Sequence, residues 1–164
     1  MKERKPITRE EALLKMADLC ARSEQCSFEI EKKLRLKGLV PAAIEYVLEE
    51  LKRRKFVDDS RYARSFARDK VRFSGWGRLK IRAELAARRI GNADISAAME
   101  GIEEADYEEA IRRASRSKAQ MLDLEEYADR VKMARYLYSR GFEPEVASRE
   151  VRRLRAEKSE REDS

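Results

Sequence analysis

Histidine is absent from this 164-residue chain. The side chain that most often serves as general base or metal ligand near neutral pH is therefore missing. Cysteine occurs twice, at Cys20 and Cys26. That is too few for a secreted disulfide framework, and with no further soft ligand nearby it makes no zinc site. The two are read as small apolar residues of a reduced, cytoplasmic protein. No apolar run approaches the length of a membrane span, and the start, MKERKPITREE, lacks a signal-peptide core. There is no GxxxxGK[ST] phosphate loop. Gly75-x-Gly77 alone is a weak signal without the strand that a dinucleotide fold requires. The acids Asp58 and Asp59 read as helix caps rather than metal ligands. No catalytic residue, metal or cofactor is expected, and the chain is not read as an enzyme.

What the chain has in quantity is charge: 43% of its residues, with a net of +6. The excess is local. Residues 1–51 balance at zero, whereas residues 52–90 carry fourteen basic groups against four acidic, a net of +10. Residues 91–111 carry seven acids and no base, and residues 112–164 net +3. Such asymmetry favours polyanions or an acidic protein surface as partner.

The chain also repeats itself. KKLRLKGLVPAAIEYVLEEL at 32–51 recurs as AELAARRIGNADISAAMEGI at 83–102 and as RYLYSRGFEPEVASREVRRL at 135–154. Leu34, Leu85 and Leu137 align, as do Lys37, Arg88 and Arg140, then Leu39, Ile90 and Phe142. A period of 51 or 52 residues means one supersecondary unit used three times.

Each unit reads as three helices. Thr8-x-x-Glu11 is a capping box before Leu13, Met16, Ala17 and Cys20. Ser27 can cap a second helix that ends at Gly38, and Pro41 suits the first turn of a third. Gly141-Phe142-Glu143-Pro144 repeats the punctuation of Gly38-Leu39-Val40-Pro41. No alternating strand pattern occurs. The expected fold is all-α: about nine helices in tandem three-helix repeats forming an elongated, curved molecule. Repeats are expected at 10–56, 57–104 and 105–156, with tails at 1–9 and 157–164; the tail after Leu154 lacks an apolar face and is expected to fray. A monomer is expected.

Phe56, Tyr62, Phe66, Phe73 and Trp76 are interleaved with the basic stretch. Basic side chains supply phosphate contacts, and rings stack bases or anchor protein interfaces. Tyr62 and Phe66, four apart beside Ala63 and Ala67, read as core. Trp76, in a turn between two glycines, is a candidate contact residue. Arg61, Arg64, Arg68 and Arg72 follow a 3–4 spacing on one helix, and Arg78, Lys80, Arg82, Arg88 and Arg89 lie along the next. These cations and Trp76 form the candidate binding set. Glu100, Glu103 and Glu104 of the acidic stretch are candidate partners for some of them.

Three groups of residues resemble a known family. Asp58-Asp59-x-x-Tyr62-Ala63 with Gly75-x-Gly77-x-x-Lys80-Ile81-x-x-Glu84-Leu85 is similar to the central signature of the RecX proteins, bacterial modulators of the RecA recombinase. Ser27-x-x-Ile30-x-x-Lys33-Leu34-x-x-Lys37-Gly38 and Tyr136-Leu137-x-x-Arg140-Gly141-Phe142 agree with it, so the resemblance spans about residues 10–154. Trp76 stands where tyrosine or phenylalanine is more familiar, and Arg89 and Asn92 blur the middle break. The resemblance implies nine helices in three repeats. It also implies binding to RecA protein and the RecA–DNA filament, in the filament groove, with lower recombinase and coprotease activity. The alternative is a helical regulator that contacts duplex DNA directly. Three similar units with no distinct recognition helix weigh against it.

Overall fold

The structure, a computed structural model, describes residues 5–164. Among these residues there is no strand. Nine α-helices follow in order: α1 Arg9–Arg22, α2 Ser27–Leu36, α3 Pro41–Arg53, α4 Asp59–Asp69, α5 Arg78–Ala87, α6 Asn92–Glu100, α7 Glu104–Ala119, α8 Tyr127–Ser139 and α9 Pro144–Glu162. A wider π turn, Lys70–Ser74, extends α4. Within each set of three, helices pack on one another: α1 and α2 on α3, α4 and α5 on α6, α7 and α8 on α9. The fold is the expected all-α array of three-helix units.

Local chemistry explains the helix ends. Thr8 and Glu11 close the capping box, with the Glu11 amide donating to Thr8 Oγ1 at 3.1 Å. Each middle helix stops in the same left-handed turn. The amides of Leu39, Ile90 and Phe142 donate back to the carbonyls of Leu34, Leu85 and Leu137 at 3.2, 3.1 and 3.1 Å. That six-to-one bond needs a positive φ one residue earlier. Gly38 and Gly141 supply it at 83° and 98°, and in the second unit Arg89 does so at 57°. The middle break is therefore the same turn, made by a residue that adopts it at some steric cost.

The aligned leucines Leu34, Leu85 and Leu137 are fully buried, one per unit. Truncating one of them to alanine costs about 2–5 kcal/mol. Cores are not divided evenly among units. The first unit closes its own cluster around Ile30, Leu34, Val47 and Leu51. The second and third share one continuous cluster, from Ala63 and Leu85 to Leu137 and Val151. The accessible surface is 10853 Å², against about 8,400 Å² for a compact monomer of this mass, so the array is extended.

Two features differ from the sequence reading. α9 continues as helix to Glu162, past Leu154 where the sequence reading expects it to fray; along this stretch Lys158 reaches Asp123 at 3.6 Å and Glu162 at 4.0 Å, and Arg153 pairs with Glu157. Ser27 does not cap α2; it is its first residue. The cap comes from the next unit, where Asp59 Oδ1 accepts from the Ser27 amide at 2.8 Å.

Candidate functional site

Of the ten candidate residues, the nine cations divide into two groups, with Trp76 apart. Arg61, Arg72, Arg78 and Arg88 are spent on joining units. Arg61 pairs with Glu24 at 2.7 Å and Arg88 with Glu29 at 3.0 Å, tying the second unit to the first. Arg72 pairs with Asp106 at 2.7 Å, and Arg78 with Glu143 at 3.1 Å and Glu104 at 3.5 Å, tying it to the third. Arg78 also lies 3.8 Å over the ring of Tyr107, whose hydroxyl donates to Glu143. Burial opposes the charge on Arg88, but its bonds to Glu84 and Glu29 and the neighbouring Tyr62 outweigh it and raise its pKa above the ordinary arginine value. An arginine held between carboxylates has little net charge left to offer an anion.

Arg88 and Arg140 are repeat equivalents, and both reach back to the preceding unit. Arg140 donates to the Ser74 carbonyl at 2.6 Å, closing the end of the π turn. In the second and third units the basic residue at this repeated position is a connector.

The second group keeps its charge. Among the described residues Arg82 and Arg89 have no carboxylate partner, and neither does Lys80; Arg64 bonds only the Ser60 hydroxyl at 2.7 Å. Arg68 has only its exposed neighbour Asp69, at 3.6 Å. Such a contact is worth little in water. Arg89 sits 5.2 Å over the Phe28 ring, which leaves its charge intact.

Trp76 organises the centre. Its ring lies 4.4 Å from Lys80 Nζ and 4.5 Å from Lys70 Nζ, and edge-on to Phe66 at 6.1 Å. Phe66 packs on the core as expected, with Tyr62 stacked on it at 5.7 Å. A cation over a ring is positioned without being neutralised. Trp76 thus positions two ammonium groups that keep their charge, while it is itself half-buried.

Lys70 belongs to this cluster although it is not among the ten candidates. The spacing Phe66–Lys70, four apart, is the signal that could have found the lysine. Phe73, one of the aromatics interleaved with the basic stretch, lies in the π turn and is 81% exposed. π turns within helices recur at functional sites. No group of three or more histidine, cysteine or acidic residues among the described residues could hold a metal ion. No described helix is long and apolar enough to cross a membrane.

Residues 58–99 match the model of the second three-helix domain of RecX, and residues 104–150 match that of the third. The chain belongs to the RecX family. A regulatory protein RecX of Pseudomonas fluorescens strain Pf-5 is 34% identical over 134 residues, which is 80% of this chain and 84% of that one. A regulatory protein RecX of Vibrio campbellii is 32% identical over 124 residues, covering 76% and 79%. The fold agrees with two crystal structures. One, of a regulatory protein RecX, superposes with a TM-score of 0.73 at 23% identity, over 84% of this chain and 68% of that one. RecX from Lactobacillus salivarius gives 0.73 at 18% identity, over 87% and 96%. Both family-model matches fall on the two units that share a core and carry the Trp76 cluster.

Proposed function

We propose that this chain is a non-catalytic regulator that binds RecA protein and the RecA–DNA filament and chiefly lowers recombinase and coprotease activity in DNA repair and the SOS response. The observation that carries the reading is the cluster on the second unit. Un-neutralised Lys70 and Lys80 lie over a half-buried tryptophan, on a unit that also exposes Arg82 and Phe73, in a chain whose relatives are named regulatory proteins. A filament of protein on DNA offers such a surface both of its partners: phosphates for the cations and an apolar seat for Phe73. An extended array of three units suits a partner that is itself extended.

The mechanism requires binding energy alone. The protein shifts the filament toward whichever state it binds more tightly, by no more than the difference in affinity. The charged part of that affinity falls as salt rises.

The test is retention of RecA from a bacterial extract on immobilised protein, with and without DNA and a nucleotide. RecA held in the presence of DNA, with inhibited strand exchange by the purified pair, carries the reading. Retention of duplex DNA without RecA gives the direct DNA-binding alternative.

A further inference from the structure

A second charged surface lies in the third unit, apart from the Trp76 cluster. α7 and α9 leave between them a cleft of about 680 Å³ lined by Arg112, Arg116, Arg153 and Arg161, with Glu157 as its one carboxylate. Glu157 is already paired with Arg153. Arg153 is in turn locked by Glu150 at 2.5 Å. Glu150 is a carboxylate only 4% exposed and receives the hydroxyl of fully buried Ser115 at 2.7 Å. The cleft's acid is thus neutralised from within the unit by a fixed network. Arg112, Arg116 and Arg161 have no carboxylate partner among the described residues, so three guanidinium groups face one cleft uncompensated. Mutual repulsion disfavours that arrangement unless an anion occupies it.

The shape argues for a strand over a single anion. A second hollow of about 230 Å³ continues the first, sharing Ala119, Leu154, Glu157 and Arg161 and adding Leu122 and Leu124. Guanidinium forks match phosphate oxygens two at a time. Half-buried Leu122 and Leu154 offer apolar surface beside them for a base to lie on, which a lone phosphate does not use.

We propose that the α7–α9 cleft binds the phosphodiester backbone of a single nucleic-acid strand through Arg112, Arg116 and Arg161. The site is independent of the RecA reading, because it needs only this chain and an oligonucleotide.

The experiment is fluorescence anisotropy of a labelled oligothymidylate with the purified full chain at several salt concentrations, in the absence of RecA. Arg112→Gln, Arg116→Gln and Arg161→Gln together should weaken binding by about tenfold or more, and should reduce the log–log salt slope by about two to three, one for each phosphate no longer neutralised. The control, Arg135→Gln with Arg152→Gln, removes two exposed cations outside the cleft and should change affinity less than about twofold. Circular dichroism and a thermal melt confirm folding of both. Equal losses for the two variants, or none for the triple variant, would overturn the proposal. A second arm titrates tripolyphosphate as competitor. If tripolyphosphate binds through the three arginines while oligothymidylate does not, the cleft is a soluble polyphosphate site and the strand assignment is overturned.

Discussion

Gly77 and Gly141 cross backbone to backbone at the junction of the second and third units. The Gly77 amide donates to the Arg140 carbonyl at 2.9 Å, and the Leu79 amide to the Gly141 carbonyl at 2.9 Å. A Cβ on Gly77 would overlap the carbonyl of Gly141 and the Phe142 nitrogen; one on Gly141 would overlap Lys80. The two loops fit only because both positions lack a side chain. The crossing fixes the start of α5, and therefore Lys80 beside Trp76.

Gly77→Ala is accordingly expected to destabilise the protein by about 1–3 kcal/mol, since main chain on both sides must move. Gly91→Ser is the contrast. Gly91 caps α6 with open space around it, and serine there should be neutral or gain a few tenths of a kcal/mol. Urea titrations of both variants check this. A Gly77→Ala midpoint equal to the parent's would show that the crossing is loose.

The adjacent acids Asp58 and Asp59 should fail in different places. Asp58 Oδ1 accepts from the Arg61 amide at 3.0 Å and caps α4, whereas Asp59 caps α2 of the unit before. Each replacement by alanine should cost about 0.5–2 kcal/mol. Hydrogen exchange distinguishes them: Asp58→Ala should speed exchange in the first turn of α4, and Asp59→Ala in the first turn of α2. Loss of protection confined to α4 in both variants would contradict the inter-unit cap.

Two tyrosines should weaken the fold at high pH. Burial, then the nearby Cys26, pushes the Tyr62 pKa up to about 12. Burial and the bond to Glu143 raise that of Tyr107 as well. In the unfolded chain both titrate near 10. Because the folded values are raised, their contribution is fully present below pH ~10 and is lost as pH climbs toward 12. Tyrosinate absorbance should show two of the six tyrosines ionising late, and Tyr62→Phe should flatten the alkaline fall of stability. A Tyr62→Phe profile parallel to the parent's from pH 9 to 12 would refute the assignment.

The fold was legible in the chain because its determinants are local. Leu34, Leu85 and Leu137 are marked by helical spacing, and Gly38 and Gly141 by turn chemistry that acts within six residues. The site was legible only in part. Arg61, Arg72, Arg78 and Arg88 look like free cations in sequence, but their carboxylates lie 37, 34, 65 and 59 positions away, beyond any periodicity argument. Glu104, one of the acids foreseen as a partner, does meet Arg78. Phe73 is visible in sequence as an aromatic of the basic stretch, but its exposure is not: it lies in the π turn Lys70–Ser74, which packs against α7, and no local pattern encodes that turn.

The central claim is that the cations around Trp76 face the RecA–DNA filament. It is tested most directly by titrating filament binding, at several salt concentrations, for Lys70→Glu with Lys80→Glu, the two cations over the Trp76 ring, against Arg135→Glu with Arg152→Glu, folding being checked by circular dichroism. Arg78, Arg88 and the other unit-joining arginines are left intact, so that weaker binding does not report damage to the fold. The central pair is predicted to weaken binding by about tenfold or more, roughly 1.4 kcal/mol, and to flatten the salt slope by about one for each phosphate no longer neutralised, while the distal pair stays within about twofold of the parent. Equal losses for the two pairs would mean diffuse attraction to a charged filament and would contradict a site at Trp76.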